Sequence, residues 1–143
     1  MRVCWSLLWL CGCGSFSAER QLCIDETNRY RAMAGKAPLA RDSALETFAD
    51  QGAQEDSAQK AAHYHFIHLE NGTAYAENEI PGWLGWSLTQ YKDVNGVIKA
   101  GLAVMWAEGP GGGHYDNITG SSTKLGCGVS VTGDAVTVVQ DFK

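Results

Sequence analysis

Residues 105–118 read Met105-Trp106-Ala107-Glu108-Gly109-Pro110-Gly111-Gly112-Gly113-His114-Tyr115-Asp116-Asn117-Ile118, and the interpretation of the chain depends on this stretch. The apolar residues that lead into it recur at the spacing of one helix face: Val97, Ile98, Leu102, Met105 and Trp106. Gly109-Pro110 ends this helix, because proline lacks an amide hydrogen and disfavours helical backbone in the residue before it. The glycines that follow leave Glu108 and His114 free to come together, so these are the first candidate functional residues.

The Glu108 and His114 pair also has a purely structural interpretation. A carboxylate and an imidazole at the end of a helix can satisfy free N–H groups and order the following loop through hydrogen bonds. Residues 105–118 alone support both interpretations.

Length and charge narrow the class of protein. The chain has 143 residues with 45% hydrophobic content, which predicts one globular domain. Its formal net charge is -5, and no basic stripe is present to contact phosphate backbones. Nucleic acid is therefore excluded as a predicted partner.

Residues 1–18 have the layout of a secretion signal, with one arginine, a short apolar run and then small residues. The run is too short to span a bilayer, so no transmembrane segment is expected. Leu10-Cys11-Gly12-Cys13 also resembles a bacterial lipobox with Cys13 as the acylated residue. We expect a secreted extracellular domain over residues 19–143, with a lipid anchor at Cys13 as the alternative.

Five cysteines are present, and Cys23 and Cys127 are the two that lie beyond the predicted signal. An exported chain allows a disulfide bond. However, both residues fall in predicted core elements, where each could equally be a buried thiol. Both alternatives remain open from the sequence.

The rest of the pattern predicts an α+β fold. Helices are expected over residues 19–34 and from Asp42 or Ser43 to about residue 60. Residues 61–69 alternate polar and apolar side chains, which predicts a short strand or an extended loop. Residues 124–131 and 135–142 are rich in β-formers and are joined by a glycine-containing turn, so they predict a hairpin. Helices occupy most of the first two thirds of the chain and strands its end, and this order favours an α+β sandwich of helices packed on a sheet.

Three groups of motifs follow one another along the chain: Asn28-Arg29-Tyr30-Arg31 with Pro38-Leu39, then Tyr75-Ala76-Glu77-Asn78, then Trp106-Ala107-Glu108 with Gly113-His114-Tyr115 and Leu125-Gly126-Cys127-Gly128. In this order they resemble the CAP superfamily, the cysteine-rich secretory, antigen 5 and pathogenesis-related domains that are also called SCP-like extracellular proteins. The resemblance implies a three-layer α-β-α sandwich and secretion.

The same resemblance implies a cleft with two histidines and two glutamates. The matching positions are Glu77, Glu108 and His114, with His63 as the first histidine because it directly follows the second predicted helix. His65 is the runner-up and His68 the third choice. Ala76 stands where the family usually has glycine. No catalytic residue is assigned.

Imidazole nitrogens and carboxylate oxygens suit zinc or another divalent metal. The resemblance therefore implies a secreted binding protein that holds a metal and takes a small lipid or sterol, or an extracellular protein or peptide. The alternative is a metal-assisted, peptidase-like extracellular hydrolase. A third possibility is a glutamate that acts as a general base without metal. The sequence does not indicate an oligomeric state.

Overall fold

The structure, a computed structural model, describes residues 16–69 and 72–143. Residues 1–15 of the predicted secretion signal, including Cys13, lie outside the described residues, so that signal stays a prediction. The helices and strands are α1 Ser17–Met33, β1 Ala40–Arg41, α2 Ser43–Gln59, α3 Tyr64–His68, β2 Ala76–Ile80, α4 Leu88–Tyr91, α5 Val94–Ala107, α6 Gly113–Thr119, β3 Lys124–Thr132 and β4 Ala135–Phe142, with a 3-10 turn at Gly82–Leu84.

A four-stranded mixed sheet forms the middle layer, in the order β1-β3-β4-β2. Strands β3 and β4 form the predicted hairpin, β2 pairs antiparallel with β4, and β1 pairs parallel with β3. Helices α2 and α3 cover one face, while α1, α5 and α6 cover the other. The predicted three-layer α-β-α sandwich is confirmed.

Successive residues of β3 point to opposite faces of the sheet, and this explains how the helices on each face are attached to it. Gly126 and Gly128 face α2, where an added Cβ would overlap the backbone of Leu45 and Ala49. Their lack of a side chain lets α2 lie directly on the sheet. Cys127, between them, points to the opposite face and is bonded to Cys23 of α1. Both cysteines are fully buried, so the disulfide alternative is the one the structure shows.

The prediction of a strand or extended loop over residues 61–69 is wrong. The chain turns at His63, whose φ is 60°, and then forms the short helix α3. Its backbone bonds are local: Tyr64 N–H donates to Ala61 O at 3.3 Å and Ile67 N–H donates to His63 O at 2.9 Å. Polar and apolar residues alternate here, but hydrogen bonds of this local kind form a helical turn and not a strand.

Two of the elements that were not predicted position the site. Strand β2 lies at one edge of the sheet, and helix α6 follows the glycine loop. Within the described residues, no helix is long and apolar enough to cross a membrane.

We expect Gly128→Ala to destabilise the fold, because the new methyl group would overlap Ala49 of α2. Overpacking of this kind costs about 1–3 kcal/mol. Gly113→Ala is the matched control, since nothing lies within 4 Å of an added Cβ there. Urea unfolding measures both variants, and equal midpoints for the two would contradict the proposed close contact between α2 and β3.

Candidate functional site

Strand β2 presents side chains to both layers because successive residues point to opposite faces. Asn78 faces α6, where it accepts a 2.9 Å hydrogen bond from Asn117 Nδ2 and donates to His114 O at 3.3 Å. Glu77 and Glu79 face the side of α2 and α3 instead, and only 7% and 5% of their surface is exposed. One short strand thus buries two carboxyl groups beside each other.

His63 joins these two carboxyl groups. Its Nδ1 lies 2.8 Å from Glu77 Oε1, and its backbone N–H donates to Glu79 Oε2 at 2.8 Å. The left-handed backbone of His63 at the start of α3 makes this double contact possible. One ligand atom from each of the three residues lies within 4.8 Å of the other two. The His63 side chain is 35% exposed, so this cluster opens to solvent on the imidazole side.

Further buried carboxyl groups lie beside the cluster. Asp141 stands directly opposite Glu77 in the β2–β4 register and is fully buried. Burial, followed by the charge of Glu77, raises the pKa of Asp141 to about 9. Burial raises the pKa of Glu79 to about 8 and that of Asp56 to about 6. The hydrogen bond to Glu77 raises the pKa of His63.

Several of these oxygens have no donor. Among the described residues, the buried oxygens without a hydrogen-bond donor in this region are Asp56 Oδ2, Glu77 Oε2, Glu79 Oε1 and both Oδ atoms of Asp141. Unpartnered buried carboxyl oxygens are costly unless a proton or a cation compensates them. The region is therefore suited to hold protons or a metal ion.

Glu108 and His114 form a separate pair. His114 Nδ1 lies 2.5 Å from Glu108 Oε1, and the His114 backbone N–H donates to Glu108 Oε2 at 3.1 Å. The His114 contact lowers the pKa of Glu108. The pair closes the loop between α5 and α6, as the structural interpretation predicted.

A cavity of about 160 Å³ connects the second pair to the first cluster. Glu79 lines it together with Glu108 and His114, so Glu79 belongs to both groups. Among the described residues, the set within mutual ligand distance contains neither Glu108 nor His114. The four-residue ligand set of His63, Glu77, Glu108 and His114 stays a prediction.

The other two histidines have different surroundings. His65 is 1% exposed, packs against the ring of Phe48, and its backbone N–H donates to Asp56 Oδ1 at 2.7 Å. His68 is exposed, and its Nδ1 lies 2.7 Å from Tyr64 O. Of the three histidines considered from the sequence, His63 is the one that contacts Glu77.

Glu79 was missed by the sequence reasoning. The signal was the spacing Glu77-Asn78-Glu79, because residues two apart in a strand share a face. That signal required β2 to be predicted as a strand, and its acidic composition argued against this.

A larger cavity of about 320 Å³ lies elsewhere, against α2 and α3, and is lined by Phe48, Phe66, Leu69 and residues 72–75. The residues named as its lining, all from the described part of the chain, include no carboxylate or imidazole group. The titratable groups thus surround the smaller cavity, which is the candidate functional cleft.

The family described as "CAP: Cysteine-rich secretory protein family" matches residues 24–142. The fold is similar to that of Na-ASP-1, with a TM-score of 0.63 at 18% identity over 87% of this chain and 38% of that one. A cysteine-rich secretory protein from Staphylococcus aureus gives 0.56 at 19% identity over 89% and 39%, respectively. An outer surface protein from Borrelia burgdorferi gives 0.57 at 17% identity over 90% and 94%.

No curated protein matches the chain. The chain spans less than two fifths of Na-ASP-1 and of the Staphylococcus aureus protein. At these identities the structural likeness shows a shared fold, and the family match confirms the resemblance found in the motifs.

We expect thermal stability to fall as pH rises from about 5 to about 9. Unfolded carboxyl groups titrate near ~4, whereas native Asp141 and Glu79 keep their protons up to about 9 and about 8. Between these values the native state binds more protons than the unfolded state, so raising the pH favours unfolding. The raised pKa of His63 acts in the same direction.

The melting temperature should decrease by on the order of 10 °C across this range. Asp141→Asn removes one titrating group and should make the decrease shallower. Calorimetry on both proteins measures this, and a wild-type melting temperature that rises with pH would show that the buried carboxyls are not protonated.

Proposed function

The chain belongs to the cysteine-rich secretory protein (CAP) family, and from this premise we propose that it is an extracellular CAP-domain protein whose cleft binds a divalent metal ion through His63, Glu77 and Glu79. The carrying observation is that one ligand atom from each of these residues lies within 4.8 Å of the others. No other proposed feature of the cleft has comparable geometric support.

The residues fit such an ion on two further grounds. Two buried carboxyl oxygens accept no hydrogen bond from the residues that the structure describes: Glu77 Oε2 and Glu79 Oε1. One imidazole nitrogen with two carboxylate oxygens is a donor set that suits zinc and also manganese. A divalent ion there would supply a Lewis acid that polarises an oxygen of a bound ligand.

The chain's own residues prepare this site. Asp141 is paired opposite Glu77 in the β2–β4 register, so a further buried carboxyl group stands beside that ligand. The 2.8 Å contact between His63 Nδ1 and Glu77 Oε1 orients the imidazole beside the two carboxyl groups. The exposed part of the imidazole gives access from solvent.

The second candidate function is a metal-assisted, peptidase-like hydrolase. Two carboxyl groups on one cavity have pKa values displaced in opposite directions, upward to about 8 for Glu79 and downward for Glu108. Such a pair can divide the roles of proton donor and anion. In this scheme His63 and Glu77 would hold the metal, Glu79 would donate a proton instead of serving as a ligand, and Glu108 would remain ionised beside His114.

A lipid or sterol ligand has less support at this cleft. The cavity measures about 160 Å³, whereas pockets for drug-sized ligands measure roughly 300–1,000 Å³. A whole sterol would therefore need a larger binding surface than the cleft offers.

We expect calorimetric titration with zinc and with manganese to show one site per chain. His63→Ala and Glu79→Gln should each weaken binding by about tenfold or more, because each removes a ligand. His68→Ala is the matched control, since His68 is exposed and lies outside the cluster. Wild-type protein that binds neither metal would overturn the proposal.

His114→Ala tests the four-residue set in the same titration. A loss of affinity equal to that of His63→Ala would extend the ligand set to the second pair. Unchanged affinity would limit the ligands to the cluster on β2 and α3. Hydrolysis of a peptide library that needs both metal and Glu79 would establish the second candidate function.

A further inference from the structure

The cavity beside the second pair has an apolar wall and a polar end. The wall is formed by Ile80, Pro81, Trp86, Gly101, Val104 and Met105. The polar end is formed by Glu79, Glu108 and His114. The metal cluster accounts for Glu79 alone, so the apolar wall is unexplained by metal binding.

The volume sets the size of what the cavity can hold. At about 160 Å³ it is close to the ~150 Å³ apolar cavity that accommodates one benzene ring. One aromatic ring or one branched aliphatic group fits, whereas an extended acyl chain or a sterol does not. The occupant is thus a single apolar group that belongs to a larger molecule.

The polar end sets the chemistry of the rest of that molecule. Only 5% of the Glu79 surface is exposed, and its Oε1 accepts no hydrogen bond from the described residues. Glu108 is an ionised carboxylate held in place by His114. Carboxyl oxygens of both groups accept hydrogen bonds from N–H donors, and the negative charge of Glu108 repels the carboxylate or phosphate group of an anionic lipid.

We propose that this cavity is a subsite for one apolar side chain of an extracellular peptide segment, with backbone N–H groups of that segment donating to Glu79 and Glu108. The assignment names the ligand class of the cleft and so rests on the proposed function, with Glu79 as the shared residue. A peptide combines an apolar side chain of the right size with amide donors a few bonds away, which is the combination that the cavity wall and its polar end require.

The test uses the methyl groups that line or adjoin the cavity. The protein is labelled with 13C at methionine and isoleucine methyl groups, and the Met105 signal is assigned with a Met105→Leu variant. The probes are N-acetyl-leucine N-methylamide and its glycine counterpart, which lacks the side chain. The leucine probe should shift the Met105 and Ile80 signals saturably at millimolar concentrations, and the glycine probe should bind at least tenfold more weakly.

Val104→Phe narrows the cavity without disturbing the core, because Val104 is 57% exposed on α5. It should weaken binding of the leucine probe by about tenfold, since the phenyl ring takes up space that the probe's side chain needs. Leu84→Phe is the matched control, because Leu84 is exposed and does not line the cavity. Equal affinity in both variants would overturn the assignment.

Three further outcomes are decisive. Leucine-probe binding that persists when the wild type takes up no metal would support the subsite while overturning the metal proposal. If the protein binds metal but the leucine probe does not shift the Met105 or Ile80 signals, the metal proposal would be supported and the subsite would be overturned. Tighter binding of octanoate than of the leucine probe at these methyl groups would overturn the peptide assignment in favour of a fatty acid.

Discussion

The antiparallel pairing of β2 with β4 is the constraint on which the site depends. It places Glu77 opposite Asp141 and, two residues later, Glu79 opposite Val139. Helix α2 can cover this face closely because the facing positions of β3 are glycines. The carboxyl groups are thereby removed from water, and the turn at His63 delivers an imidazole to them. A shift of β2 by one residue would turn both glutamates to the opposite face.

Burial of these groups fixes their protonation. Four carboxyls, those of Asp56, Glu77, Glu79 and Asp141, lie within one electrostatically coupled region. Separate ionisation of all four would carry a large desolvation penalty, so protons are retained at neutral pH. A bound divalent ion would take the place of some of these protons. The stability of the sheet edge would then depend on whether the cleft is occupied.

Most of the fold could be predicted from the sequence, whereas Glu79 of the cleft could not. Long periodic segments predicted α1, α2, α5 and the hairpin, since their patterns depend on local spacing alone. Strand β2 escaped prediction because Glu77-Asn78-Glu79 is acidic, and only its pairing with β4 makes it a strand. Glu79 was missed for the same reason. The Cys23–Cys127 bond could not be decided without the distance between α1 and β3.

Glu108 and His114 show that structural and functional interpretations need not compete. By accepting the His114 backbone N–H, Glu108 orders the start of α6, and that helix also holds Asn78 through Asn117. The same contact keeps Glu108 ionised at the mouth of the cavity, while burial keeps a proton on Glu79. The hydrogen bonds that complete the fold, together with burial at the sheet edge, therefore leave Glu108 charged and Glu79 neutral.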